Sequence, residues 1–313
     1  MLLAAMIALA LSGQDAPPPP AQNEGSVQLP TVEVQGALAG MNLETRIDDF
    51  VGSVAAPISE YGYGPARWHR DVCVGAINFQ PAAARAIVDR VSSVAVDLGL
   101  RSEDPGCDPQ VLIVATNDGP GTATGLVERR RRFFVLGGEG MDLGRAALAR
   151  FQSNDHPVRW WHVSLPVDAD TGGRIVRLPG DSDGAINPID PFSAVIIVDK
   201  FIASRIYSER RDNLIRAVII VDTTRLGEAT FAQLADYVAM IAMAQIDPEV
   251  DVRGHDSVLN LFRNPAGVQG LTDWDMAYLK GLYKARLDTV STVSRMGAVE
   301  AEMEAIERRR QAE

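Results

Sequence analysis

Two side chains capable of chemistry stand where the surrounding sequence is otherwise apolar. Asp236 and Tyr237 lie within Thr230-Phe231-Ala232-Gln233-Leu234-Ala235-Asp236-Tyr237-Val238-Ala239-Met240. A carboxylate on such a segment either finds a cationic partner or acts as an acid or base, because an unpaired buried charge is costly. Four His are available as partners: His69, His156, His162 and His255. A hydrolase using Asp236 with His162 or His255 nearby is therefore one reading. The run Trp160-Trp161-His162 offers aromatic faces and a ring nitrogen as a candidate binding strip. In a strand only one of two adjacent Trp faces the core, so the outward one is either covered by neighbouring segments, the ordinary case, or a candidate partner contact. Asp168-x-Asp170-x-Gly172 and Asp181-x-Asp183-Gly184 have the close oxygen spacing that calcium favours. No Glu closes either at the twelfth position, so both read as acidic, solvated loop.

The elements that must position these groups are legible from periodicity. Thr230 to Gln245 has a broad apolar face that reads as a helix buried on most sides, with Thr230 and Gln233 at capping-box spacing. The β-branched runs Ala194–Val198 and Ala217–Val221 read as strands of one buried sheet. So do Val111 to Ala115 and Arg159 to Leu165. Gln80 to Leu98 reads as a helix with Pro81 in its first turn and Gly99 as its stop. Thr45 to Ala56 and Asp142 to Phe151 are further helices. Phe133 to Leu136 is expected as a strand, with Arg129-Arg130-Arg131-Arg132 as its solvated entry. A helix beginning at Thr272 carries a buried stripe through Tyr283, and Ser291 to Glu313 is a charged helix.

The chain has 313 residues, 46% of them hydrophobic, and a formal charge of -11. That balance supports a real core and argues against nucleic acid as a partner, since phosphate binding depends on Lys and Arg. Residues 1–12 are apolar and small, too short for a bilayer span, and fit the hydrophobic part of a signal peptide with an atypical, uncharged start. Residues 13–44 are a Pro-rich linker, opening with Pro17 to Pro20, and form a disordered extension. Export agrees with the two cysteines, Cys73 and Cys107, which flank one helix and suit a disulfide in an oxidising compartment. No transmembrane segment is expected in the mature chain, and no residue set calls for a cofactor.

A resemblance enters at two levels. The paired cysteines around the Gln80 helix, the Ala203-Ser204-Arg205-Ile206 step and Gln233-Leu234-Ala235-Asp236-Tyr237 resemble a family of uncharacterised exported bacterial proteins. The stretch from Ala217 to Tyr283 is also similar to zincin metallopeptidases. There a strand leads into a helix bearing His-Glu-x-x-His, and a later helix opens with Leu-Ser/Thr and an acidic residue, as Leu271-Thr272-Asp273-Trp274-Asp275 does here. The resemblance would place the two His at Ala232 and Asp236, the Glu at Gln233 and the third ligand at Ala242. A zinc site needs His or carboxylate ligands one helical turn apart, a third ligand and an activated water. That set is absent, so no metal is expected.

The expectation is an α+β protein with a mixed sheet, packed helices and a zincin-like C-terminal half. Residues 45–285 would form one globular domain and 286–313 a charged C-terminal helix. Its function would be a non-catalytic, exported, periplasmic or extracellular protein that binds an unknown protein or envelope component. The alternatives are the hydrolase above and a structural adaptor working through the C-terminal helix.

Overall fold

A computed structural model describes residues 40–55, 65–134, 142–173, 175 and 205–312. The expected signal peptide, nearly all of the linker, the Ala194–Val198 strand, Ala203-Ser204 and most of the acidic loops, including Asp181 and Asp183, lie outside the described residues.

The fold is α+β with a mixed sheet. Strand β1 is Asp71–Val72, β2 Val74–Ile77, β3 Arg101–Ser102, β4 Val111–Thr116, β5 Val158–Asp168 and β6 Arg210–Asp222. Four of these form one sheet in the order β2-β4-β6-β5, with β1 and β3 paired separately. β2, β4 and β6 are mutually parallel, and β5 closes the edge antiparallel to β6. The helices are α1 Leu43–Val54, α2 Pro81–Asp97, α3 Gly119–Arg129, α4 Arg131–Phe134, α5 Gly144–Ser153, α6 Phe231–Met243, α7 Asp273–Lys284 and α8 Thr292–Ala312.

Alternation along the strands divides the interior in two. Ile113, Ile219, Val221 and Trp160 face the larger core, which α1, α2, α6, α7 and α8 complete. Val114, Val218, Ile220 and Trp161 face the smaller core, built with α3, α4 and α5. The sheet is thus covered on both faces, which explains why its strands read as continuous apolar runs.

For the outward Trp this covering is the ordinary cover by neighbouring segments rather than a partner contact. Trp160 and Trp161 do point to opposite sides, but a helical layer lies on each, leaving them 3% and 1% exposed. The missed element is α3. Gly119, Pro120, Gly121 and Gly125 argue for a turn, yet Asp118 accepts from Gly121 N–H as an N-cap and Pro120 fits the first turn. A second correction concerns Phe133 and Phe134. They lie in the short helix α4, not a strand: α3 ends at Arg129, Arg130 caps it with non-helical backbone, and Arg131 and Arg132 open the next helical turn. Cations suit the C-terminal end of a helix. Phe134 enters the smaller core, while exposed Phe133 stacks under the Arg216 guanidinium at 3.9 Å.

The disulfide is present. Cys73 and Cys107 are joined, with Cα atoms 6.0 Å apart across a sequence separation of 34. It ties the chain preceding β2 to the turn preceding β4, with α2 inside the closed loop.

Helix α8 belongs to the packed body. Val299 and Met303 are buried, and the helix backbone runs so close to α7 that a Cβ on Gly281 would stand 3.0 Å from Met303 N and 3.1 Å from Val299 O. The buried pair Arg295–Asp212, at 3.3 Å, pins α8 to β6, and Arg295 Nε also donates to Thr289 O at 2.8 Å. Burial lowers the guanidinium and raises the carboxyl, while their mutual attraction opposes both shifts.

Gly281→Val should therefore lower stability by more than the roughly 1 kcal/mol range of an ordinary helix-surface change, since backbone must move. Cys73→Ser should lower it by about 3–4 kcal/mol, the loop-closure scale for a bridge of this span. Urea unfolding of each variant beside the parent under oxidising conditions checks both. An unchanged midpoint for Gly281→Val would contradict the packing described.

Candidate functional site

The candidate site is α6 and what surrounds it. Its first turn is fixed by a reciprocal capping box. Thr230 Oγ1 accepts from Gln233 N–H at 3.3 Å, and Thr230 N–H donates to Gln233 Oε1 at 2.7 Å. Gln233 also does something the capping motif does not require. Its Nε2 donates to Pro265 O at 2.9 Å and Val268 O at 2.5 Å, holding the loop before α7 against the helix.

Asp236 is the next polar group along the helix. Arg90 of α2 donates its Nε to Asp236 Oδ1, and Leu271 N–H donates to Asp236 Oδ2 at 3.0 Å. Gly270 lets the loop approach. A Cβ there would fall 2.3 Å from Asp236 Oδ2, and its φ is +153°. Asp236 thus joins α2, α6 and the loop entering α7, and its partners are Arg90 and Leu271 rather than a His. His162 and His255 are engaged elsewhere, so the pairing required by a hydrolase reading is not assembled around Asp236.

Tyr237 is buried. Its ring meets Phe262 edge-on at 4.9 Å and Trp160 at 6.3 Å. Burial pushes its hydroxyl well above its ordinary value, which keeps it neutral and poorly suited to proton transfer. From Leu234 onward every residue of α6 except Asp236 is buried.

The other end of α6 carries a second set of side-chain bonds. The last carbonyls of a helix have no partner within it. Here the helix stops inside the core, and rings from distant elements supply the missing donors. His162 Nε2 meets Ile241 O at 2.9 Å, Trp68 Nε1 donates to Ala242 O at 2.7 Å, and Tyr283 Oη donates to Met243 O at 2.9 Å. Just beyond, Trp160 Nε1 donates to Ile246 O at 2.9 Å. Burial lowers the His162 imidazole to about 4, so at neutral pH it is uncharged and its Nε2 carries the donated proton. Trp160 and His162, two of the candidate binding residues, are in this way turned toward the end of α6. Trp161 points the other way and donates to Phe134 O at 2.9 Å.

The remaining His are dispersed. His255 is buried, stacks on Trp274 and bonds Asp49 Oδ2 through Nε2 at 2.9 Å, linking α1 to the segment before α7. His69 lies against Arg211 and Gly172, and His156 is exposed. Among the described residues, one trio of ligand-type side chains converges closely enough for a metal: Cys73, Glu103 and Cys107. Its two sulfurs are spent in the disulfide. Asp168 Oδ1 accepts from Asp170 N–H, Thr171 N–H and Thr171 Oγ1, the bonding of a tight Asx turn.

Asp275 was legible only as the partner of the Thr272 cap. It is fully buried, and accepts from Thr272 N–H at 3.1 Å and Val258 N–H at 2.7 Å. Burial nonetheless raises its carboxyl to about 6. The partners Arg90, Trp68 and Tyr283 were not singled out by sequence, because each is bonded across a long separation. Trp68, a lone Trp in a polar segment, carried the one available signal.

Comparison with protein-family models, with curated proteins and with solved structures returns no match to this chain.

Two buried groups titrate with opposite sign. His162 is held below its ordinary value of 6.5, so the unfolded chain takes up its proton first. Its contribution is complete above pH 6.5 and is lost as pH falls toward 4, by about 3 kcal/mol. Asp275 is held above its ordinary value of 3.8, so the folded chain takes up its proton first. Its contribution is complete below pH 3.8 and is lost as pH rises through 6, also by about 3 kcal/mol. His162→Gln retains an N–H donor and removes the first effect. The stability difference between parent and variant should shift in the parent's favour by about 3 kcal/mol between pH 4 and pH 6.5. Urea midpoints across that range measure it, and a pH-independent difference would remove the tautomer and capping role given to His162.

Proposed function

We propose that this protein is an exported, non-catalytic domain of zincin-like descent that acts in the cell envelope by binding. The observation carrying this reading is the occupation of the helix positions where the resemblance places catalysis. Gln233 stands at the position of the general base, and its amide holds two loop carbonyls. Asp236 stands at the second ligand position, and both its oxygens are engaged by Arg90 and Leu271. Ala242 stands at the third, is buried, and its carbonyl is capped by Trp68. A metal-activated water needs ligands facing an open coordination position. Here those positions serve as fasteners between α6, α2 and the loop before α7.

Support for the retained element order comes from strand β6 leading into α6, with α7 following. Support for export comes from the apolar start of the sequence together with the disulfide. Among the described residues no helix is long and apolar enough to cross a membrane.

The purified protein should carry far less than one zinc per chain by elemental analysis and should hydrolyse unstructured peptides no faster than buffer. Asp236→Asn should lower folding stability by about 1–3 kcal/mol, the scale for weakening a charge-assisted bond network. Stoichiometric zinc would sink the reading. So would hydrolysis that Asp236→Asn abolishes while the fold persists.

A further inference from the structure

A small hollow opens where the C-terminal half of α5 faces the Asp247–Glu249 segment that follows α6. Its volume is about 150 Å³. Its apolar wall is Leu143, Ala147 and Phe151 from α5 and the residue before it, Pro248 opposite, and the remaining accessible edge of Trp160, while Arg150, Asn154, Asp247 and Glu249 supply the polar part of the lining. An apolar cavity of roughly this size holds one benzene ring. The interior is therefore matched to a single ring or branched aliphatic group.

The mouth is charged, and its charges are loosely held. Arg150 and Glu249 face one another, with Nε and Oε1 3.4 Å apart and side chains 56% and 57% exposed. Neither side chain has another ionic or hydrogen-bonding partner among the described residues. Exposed pairs of this kind contribute little to stability and are readily exchanged for other partners. Asp247 also lines the hollow, but its Oδ1 already accepts from Glu249 N–H at 2.8 Å. One free guanidinium and one free carboxylate thus stand side by side over an apolar, ring-sized recess. A neutral hydrocarbon leaves both unused, and a simple anion or cation uses one of them.

We propose that this hollow binds a free α-amino acid with a ring-bearing or branched apolar side chain. The side chain enters the recess against Trp160. The carboxylate takes the planar fork of Arg150, which suits two-oxygen acceptors. The ammonium pairs with Glu249. The ligand's own adjacent charges replace the Arg150–Glu249 contact, so neither protein charge is left unpaired. The site gives a ligand class to the binding role proposed above. It does not depend on the metal question, and zinc content and hydrolysis test that reading separately.

Calorimetric titration of the intact protein with L-phenylalanine, phenylethylamine and 3-phenylpropionate tests the assignment. These probes share the ring and carry both charges, the cation alone and the anion alone. Saturable one-to-one binding of phenylalanine is expected, at least five-fold tighter than either analogue. Arg150→Gln and Glu249→Gln, both on exposed side chains, should each weaken it at least five-fold. Ala147→Trp should fill the recess and remove binding while the circular dichroism spectrum is kept. Absence of saturable phenylalanine binding to the folded parent overturns the proposal. Equal affinity for all three probes, or binding unaffected by the two charge variants, overturns the amino-acid assignment.

Discussion

Helix α6 ends in the middle of the larger core, and that placement constrains the rest of the molecule. Carbonyls at a buried helix end must find donors, and an unmet one costs about as much as a lost hydrogen bond with its desolvation. Here the donors are His162, Trp68, Tyr283 and, one turn beyond, Trp160. They come from β5, the segment before β1, and α7. The sheet edge, the N-terminal segment and the C-terminal helices are thereby held to one point. The antiparallel β5 is the element that brings Trp160 and His162 there on one face. The same bonds occupy the ring N–H groups of Trp160 and His162 that a functional reading would want free.

The N-terminal half of α6 is organised differently. Its bonds run outward, from Gln233 to the loop carbonyls and from Asp236 to Arg90 and Leu271. A carboxylate with an Arg and a backbone N–H is satisfied and largely screened from solvent. Its bonding therefore signals structure more than reactivity. A weakly paired couple lies elsewhere, at the rim of the hollow by Trp160, where Arg150 and Glu249 are each more than half exposed.

Much of the architecture was legible because it rests on local patterns. The β-branched runs at Val111 and Ala217 could only be buried strands, and the stripe from Ala84 to Val94 could only be a helix. The capping boxes at Thr230 and Thr272 appear as their spacing implies. The disulfide followed from having two cysteines around one helix. What could not be read was non-local. The partner of Asp236 is 146 positions away in sequence, at Arg90. The burial of Trp161 depends on a layer that includes α3, whose Gly and Pro content hides a helix held by its cap and its neighbours. Phe133 and Phe134 have strand-like composition, but they are placed by non-local contacts, Phe134 in the smaller core and Phe133 against Arg216. The hollow by Trp160 joins α5 to a turn nearly 100 positions further on, a distance no local pattern bridges.

The capping of α6 by distant rings also bears on how the chain reaches its structure. A helix closed by its own Gly or a neighbouring Lys can form early and wait. This one cannot satisfy its last carbonyls until β5 has paired with β6 and α7 has docked. Its contacts span 79, 174 and 40 positions. Long separations of that kind slow folding, because loop closure must come before the bonds that reward it. The bonds that close the final turn of α6 therefore exist together only in the assembled fold.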